Sequence, residues 1–96
     1  MINICGKTFY GPYYIEESIE EKSGVYLVVS PLGTVIDVGE TGNLQNRLKT
    51  HDRKDQWKRR LGHTSWRYWV SYMPENERMK IEKALRSYYP NLCGKR

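Results

Sequence analysis

The sequence predicts a mixed α/β (α+β) fold: a small sandwich in which helices flank a three-stranded antiparallel sheet, in the order β-β-α-α-β-α. Two runs rich in β-branched residues, GVYLVVS and TVIDVG, are joined by a turn signal and predict a hairpin. Segments with helical spacing of apolar residues follow the hairpin and also precede the C-terminus. With 96 residues, of which 39% are hydrophobic and 12% aromatic, the chain is long enough for one core and too short for two.

The first 22 residues have the weakest periodicity, and they are predicted to be an N-terminal extension of a single domain that spans residues 1–96. The turn signal at Gly11-Pro12 fits either an edge strand or an extended arm. The stretch from Ser18 to Glu21 has the pattern of a capping box, which predicts a short helical turn. The core of the domain is expected at residues 23–94.

The hairpin turn is predicted at Ser30-Pro31-Leu32-Gly33, which has serine, proline and glycine at the positions that a type I turn favours. If the loop consists of the two central residues, Tyr26 lies directly opposite Asp37 on the neighbouring strand. A one-residue bulge at Gly33 makes this contact diagonal, still within reach of both side chains. Because the first strand is apolar on both faces, the sheet is expected to be covered on both sides.

Two helices are predicted after the hairpin. The first begins near Asn43 and has Thr41 or Asn43 as its N-cap. Its buried stripe carries Leu44 and Leu48, four residues apart. The second helix, in the stretch DQWKRRL, is expected to be capped by Asp55.

A third strand and a last helix complete the predicted fold. The strand, in the stretch WRYWVSY, is expected to place on one face the residues Trp66, Tyr68, Val70 and Tyr72. The last helix opens at Pro74-Glu75 and stops before Pro90. Its core face is expected to contain Ile81, Ala84, Leu85 and Tyr88.

Positive charge is concentrated in the middle of the chain and indicates a polyanionic partner. The net charge is +5, and seven of the sixteen lysine and arginine residues lie between Arg47 and Arg60. Nucleic acid is the commonest partner of such a surface, although a solvated helix face is the plainer alternative. The predicted phosphate contacts are Gly39 and Thr41 before the first helix, and the basic residues Lys49, Arg53, Lys54, Lys58, Arg59 and Arg60.

The composition also argues against membrane, secreted and zinc-binding proteins. No apolar run reaches the ~18 residues that cross a bilayer, and the N-terminus lacks a secretory signal, so a soluble, cytoplasmic protein is expected. Cys5 and Cys93 form no zinc-binding motif. They allow a disulfide between the chain ends, but two thiols in a reducing compartment are favoured.

A group of polar residues is expected to gather around the hairpin. Tyr26 and Asp37 share one patch of its surface. Arg47 and His51 lie one turn apart on the helix that leaves it, and Glu82 lies at the edge of the buried stripe of the last helix. Each has an ordinary structural alternative, such as core packing for Tyr26 or a helix-surface ion pair for Glu82.

The order and spacing of these residues resemble the GIY-YIG nucleases over roughly residues 22–94, and the resemblance implies a GIY-YIG-like form of the sandwich described above. Each motif is short, but together they occur in the family's order and at its spacing. The matching stretches are Gly24-Val25-Tyr26, Asp37-Val38-Gly39, Arg47 with His51, Ile81-Glu82 and Pro90 to Gly94.

The resemblance implies hydrolysis of DNA phosphodiester bonds with one metal ion, Mg²⁺ or Mn²⁺. By the same resemblance, Glu82 holds the metal ion, which polarises the scissile phosphate. Arg47 neutralises charge on the phosphoryl oxygens, and Tyr26 orients or deprotonates the attacking water. His51 contacts phosphate or relays the proton. The implied partner is DNA, bound through its backbone with little sequence specificity.

The sequence departs from the family pattern at two positions. Asp37 stands where the family has its second tyrosine, and Gly94 stands where its asparagine falls, while Asn91 is three positions early. Asp37 can accept the proton of Tyr26, join Glu82 in binding the metal, or repel the DNA phosphate and silence catalysis.

Three functions therefore stay open at this point. The first is a metal-dependent DNA endonuclease of the GIY-YIG type. The second is a nucleic-acid-binding module of the same fold without catalysis, which predicts salt-dependent binding and no cleavage. The third is a protein-interaction module whose basic face meets an acidic partner.

Overall fold

The computed structural model describes residues 1–14, 17–51, 53–62 and 65–89, and within these ranges helices cover an antiparallel sheet. The elements in chain order are β1 (Ile2–Ile4), β2 (Lys7–Tyr13), β3 (Gly24–Val29), β4 (Val35–Thr41), α1 (Leu44–Lys49), α2 (Lys54–Leu61), β5 (Arg67–Tyr72) and α3 (Glu75–Tyr88). No helix in the described part of the chain is long and apolar enough to cross a membrane.

The sheet has five strands in the described residues, so the prediction of three strands and of the order β-β-α-α-β-α was wrong. The strands lie in the order β1-β2-β5-β3-β4, and the two extra ones come from the first 22 residues. Of the two alternatives for this segment, the structure has the edge strand, because β1 ends the sheet and β2 pairs with β5. The strand signal was weak because Pro12 interrupts it. Pro12 lies in the irregularity between Tyr10 and Tyr13, where the ladder does not need its missing N–H.

The β3–β4 hairpin has a different register from the direct pairing considered above. Tyr26 lies opposite Gly39, and Asp37 lies opposite Val28, so Tyr26 and Asp37 are diagonal neighbours on one face. The turn has the expected hydrogen bond, from the N–H of Gly33 to the carbonyl of Ser30 at 2.9 Å. The register shifts again between Val28 and Val29, where β4 carries an extra residue.

The start of α1 and both ends of α3 agree with the predictions, but α1 ends at Lys49, so the prediction that His51 lies on this helix was wrong. Asn43 is the N-cap of α1, and its side chain accepts a hydrogen bond from the N–H of Asn46 at 3.1 Å. Leu44 and Leu48 are buried, as predicted. The helix α2 starts at Lys54, so Asp55 lies in its first turn rather than at its N-cap, a position where a negative charge is also favourable.

The helical turn predicted at residues 18–21 is absent. This stretch has no regular secondary structure, although Ile19 is buried and packs into the core. Its capping-box pattern is not followed by an apolar helical run, and a cap without a helix to stabilise is a weak signal.

The sheet separates two hydrophobic clusters, which confirms that it is covered on both sides. We call the side with α1 and α2 the α1/α2 face, and the side with α3 the α3 face. The cluster on the α1/α2 face includes Tyr26, Val28, Leu44, Leu48, Trp57, Trp66, Tyr68 and Val70. The cluster on the α3 face includes Phe9, Val25, Leu27, Val29, Val38, Met73 and Leu85. Tyr72 packs against the first cluster, so the predicted face of β5 is confirmed.

The helix α3 turns a different stripe towards the sheet from the one predicted. Leu85 is fully buried and Ile81 is half-buried, but Ala84 is exposed and Tyr88 is 69% exposed. Glu82 is buried instead, at 5% exposure. Two arginines of α3, Arg78 and Arg86, contact Glu40 and Asp37 on β4, so the stripe that faces the sheet includes charged side chains as well as apolar ones.

Candidate functional site

The Tyr26 hydroxyl lies inside the α1/α2 face, in a hydrogen bond with His51. Tyr26 is on β3 and His51 follows α1; the two residues are 1% and 4% exposed. The main-chain N–H of Arg53 donates a hydrogen bond to Nδ1 of His51 at 3.0 Å. Because the lone pair of Nδ1 is used in this way, the neutral imidazole carries its proton on Nε2, and this N–H donates to the Tyr26 oxygen.

The Tyr26 phenol keeps its proton at neutral pH. Burial raises the pKa of Tyr26 above its ordinary value, although the charges of Arg53 and Arg47 act in the opposite direction. Arg47 on α1 is therefore close enough for its charge to act on the hydroxyl group. A protonated phenol in this position can orient a water molecule or a phosphate oxygen, but it is a weak base.

Gly39 gives the hydroxyl group of Tyr26 the space that it occupies. The two residues are partners across β3 and β4, and a Cβ atom at position 39 would overlap the phenol. Gly39 is buried below the ring, so it does not present a surface to phosphate. Thr41 is the other predicted phosphate contact at this turn. Its hydroxyl group accepts a hydrogen bond from the N–H of Asn43 at 3.1 Å and so stabilises the backbone just before α1.

Asp37 is fully buried, and its two carboxylate oxygens contact helices on opposite faces of the sheet. Oδ2 accepts a hydrogen bond from Nε1 of Trp57 at 2.7 Å and lies 2.9 Å from Nε of Arg53. Oδ1 accepts from Nη2 of Arg86 and from the N–H of Val38, both at 2.8 Å. One side chain can reach both faces because β4 is an edge strand.

The pKa of Asp37 is shifted by opposing effects. Burial is the largest and raises the pKa above its ordinary value, because a desolvated carboxylate is unfavourable. The hydrogen bond from Trp57 and the charges of Arg53 and Arg86 lower it. The hydrogen-bond donors and cations around Asp37 therefore stabilise its negative charge, which could not be buried without them.

Arg86 connects Glu82 to Asp37. Its Nε donates to Oε2 of Glu82 at 3.1 Å, across one turn of α3. Its Nη2 donates to Oδ1 of Asp37 at 2.8 Å and to the carbonyl oxygen of Val38 at 2.6 Å. The side chains of Arg86 and Glu82 are 8% and 6% exposed. Glu82 is thus joined to Asp37 through a guanidinium group.

The predicted basic residues differ in how they are placed. Arg53 is half-buried against Asp37, and Nζ of Lys54 donates to the carbonyl oxygen of Lys49 at 2.8 Å. Burial, with a contribution from the charge of Lys58, lowers the pKa of Lys54. Lys49 is exposed. We define the α2 basic surface by the three exposed residues at the end of that helix, Lys58, Arg59 and Arg60.

The metal ion that the resemblance implies does not fit this arrangement of residues. Mg²⁺ is bound by carboxylate oxygens together with several waters, in a nearly ideal octahedron. Here Glu82 and Asp37 are both buried, and both contact the guanidinium group of Arg86. In the described part of the chain, no group of three or more His, Cys, Asp or Glu side chains could hold a metal ion. Gly94, Asn91 and Cys93 lie outside the described residues.

Two residues of the site were missed as functional candidates. Trp57 packs in the core of the α1/α2 face, and its indole N–H also donates to Asp37. Arg86 lies four residues after Glu82, a spacing that indicates a helical ion pair. Nothing in the sequence indicates that the same guanidinium group reaches Asp37, 49 residues away.

The comparisons with known proteins identify the family. No curated protein and no solved structure matches the chain significantly. The family model of the GIY-YIG catalytic domain matches residues 22–90, a range that contains Tyr26, Asp37, Arg47, His51 and Glu82. Since the match covers most of the chain, the protein belongs to the GIY-YIG nuclease family.

Proposed function

We propose that this domain binds DNA and hydrolyses its phosphodiester bonds. The observation that carries the proposal is the Tyr26–His51 hydrogen bond, with the charges of Arg47 and Arg53 acting on the same hydroxyl group. A phenol bonded to an imidazole and subject to the positive charges of Arg47 and Arg53 is suited to a substrate that brings negative charge, and family membership supports a nucleic acid as that substrate.

In the proposed reaction, the oxygen of a water molecule attacks phosphorus and one phosphorus–oxygen ester bond breaks. The proton that the water loses passes through solvent to the released oxygen, so the products are a phosphate monoester and an alcohol. The Tyr26 hydroxyl orients the water, because its raised pKa keeps it protonated and makes it a poor base. Arg47 and Arg53 neutralise the charge that develops on the phosphoryl oxygens. The α2 basic surface contacts the DNA backbone without reading its sequence.

The test is nicking of supercoiled plasmid DNA in Mg²⁺, Mn²⁺ or EDTA. Tyr26→Phe removes the hydroxyl and should lower the rate by ~10²-fold, the loss typical of a misplaced reactant. Tyr10→Phe is the matched control, because Tyr10 lies on β2 and is 41% exposed. It should cleave at the rate of the native protein. Equal rates for Tyr26→Phe and the native protein would contradict the assigned role of Tyr26.

A second candidate function is DNA binding without hydrolysis. Two observations favour it: Tyr26 is 1% exposed, and both carboxylates of the site are paired with Arg86. It predicts gel shifts that weaken with rising salt, together with no nicking in any of the three solutions. Nicking by the native protein that Tyr26→Phe abolishes excludes this second candidate.

A further inference from the structure

Arg86 contacts three acceptors on the α3 face. Its guanidinium group is hydrogen-bonded to the carboxylates of Glu82 and Asp37 and to the main-chain carbonyl of Val38. The three acceptors lie on two different elements, α3 and β4. The planar fork of arginine suits this arrangement, because its N–H groups can serve several acceptors in one plane.

The two carboxylates need a cation at this position. The side chain of Asp37 is fully buried and that of Glu82 is 6% exposed, so water does little to stabilise either charge. Arg53 contacts Oδ2 of Asp37, on the other side of the carboxylate. Arg86 is the cation that Oδ1 of Asp37 and Oε2 of Glu82 share.

We propose that Arg86 is the resident cation of this site, and that its guanidinium group takes the place of the divalent ion between Glu82 and Asp37. The native domain accordingly binds no divalent metal at Glu82. A divalent ion in the same place would be repelled by the guanidinium charge. It would also retain several waters, whereas the side chains of Asp37 and Glu82 are 0% and 6% exposed to water.

The aspartate at position 37 completes this arrangement. A tyrosine there would bring a neutral hydroxyl group, whereas Asp37 brings the second negative charge that Arg86 balances. The proposal concerns which cation occupies the site, so it does not depend on whether the domain cleaves DNA.

The experiment measures binding of Mn²⁺ alone, followed by the loss of the electron paramagnetic resonance signal of the free ion. The native protein should show no saturable binding at Glu82 at millimolar Mn²⁺. Arg86→Met removes the guanidinium group and leaves two carboxylates facing one gap. It should bind Mn²⁺ with saturation, and Mn²⁺ should raise its melting temperature. Adding Glu82→Gln to this variant should abolish both effects.

Two control variants separate the removal of Arg86 from the general loss of an arginine. Arg78→Met removes another arginine of α3 that pairs with a carboxylate on β4, that of Glu40, at 2.6 Å. It should not create a Mn²⁺ site, because Arg86 still occupies the place between Glu82 and Asp37. Arg86→Lys keeps a positive charge there and should not bind Mn²⁺ either.

The proposal is overturned by either of two results. One is saturable Mn²⁺ binding by the native protein that Glu82→Gln abolishes. The other is a folded Arg86→Met variant that binds no Mn²⁺, since the gap would then not be a cation site. If Arg86→Met does not fold, the native protein and Glu82→Gln are compared instead. Identical Mn²⁺ titrations would then support the proposal, because they are expected only if Glu82 holds no metal.

Discussion

The two faces of the sheet bury polar groups in different ways. On the α1/α2 face, the buried polar groups are aromatic or imidazole rings that pack against one another; the ring centres of His51 and Trp57 are 4.5 Å apart. On the α3 face, the buried charged groups are Glu82 and Arg86, an ion pair whose side chains are 6% and 8% exposed. A neutral ring needs only one hydrogen bond to be buried, whereas a buried ion needs a partner of opposite charge.

Asp37 is where these two systems meet. One oxygen accepts from the indole of Trp57 on the α1/α2 face, and the other accepts from Arg86 on the α3 face. The comparison shows that an acid on an edge strand can connect two layers that the sheet otherwise separates. It also indicates which substitutions should affect both faces and which should affect only one.

Removing Asp37 is expected to cause the largest loss of stability. Asp37→Ala leaves Arg53, Arg86 and the Trp57 indole without their common acceptor, and breaking a buried ion pair in this way costs about 3–5 kcal/mol. Glu40→Ala is the matched control, since Glu40 lies on the same strand and pairs with Arg78 but is 25% exposed. Its cost should be about 1 kcal/mol or less. Urea unfolding of both variants measures the difference, and equal losses would show that burial does not distinguish the two contacts.

Substitution of Gly39 should disturb the α1/α2 face alone. Gly39→Ala places a methyl group against the Tyr26 phenol, and overpacking of this kind costs about 1–3 kcal/mol. The displaced phenol should lose its hydrogen bond to His51, which NMR of the imidazole nitrogens detects. Gly42→Ala is the control, because the nearest atom to its added Cβ is 3.9 Å away, on Arg78. An unchanged imidazole spectrum in Gly39→Ala would contradict the packing described here.

Of these variants, Tyr68→Phe should lower the free energy of unfolding least at neutral pH. The size of this effect should also change with pH. The Tyr68 hydroxyl accepts a hydrogen bond from Nε1 of Trp66 at 2.9 Å, and its loss costs about 1 kcal/mol. Burial raises the pKa of Tyr68 from 10.0 to about 12. The folded state therefore holds this proton more tightly, and the associated stability is present below pH 10 and is lost as the pH rises towards 12.

Between pH 10 and pH 12, the free energy of unfolding of the native protein should accordingly fall by roughly 3 kcal/mol because Tyr68 ionises. The variant lacks this hydroxyl group and should not show this loss. Tyr68→Phe is then less stable than the native protein at neutral pH, and the difference should shrink or reverse in alkali. Unfolding by urea across this range tests the sign. A difference that stays constant with pH would mean that Tyr68 titrates normally.

Local patterns predicted much of the fold and part of the site. The hairpin, the cap at Asn43 and the buried pair Leu44 and Leu48 follow from turn chemistry and helical periodicity, which depend on neighbouring residues. The residues of the family motifs were found through their resemblance to the family in residue type, order and spacing. The sequence did not predict β1 and β2 as two separate strands, because a short strand interrupted by proline acquires its structure from the strand beside it.

The sequence by itself determined the family, the central hairpin and the cover of apolar residues on both faces, because these depend on the order and periodicity of residues. Only the tertiary structure decided that Asp37 and Glu82 share Arg86. The charges of Asp37 and Arg86 are 49 residues apart in the chain, and their interaction depends on a distance of 2.8 Å and on burial. Neither quantity is a property of sequence spacing, since both arise when α3 packs on the edge of the sheet.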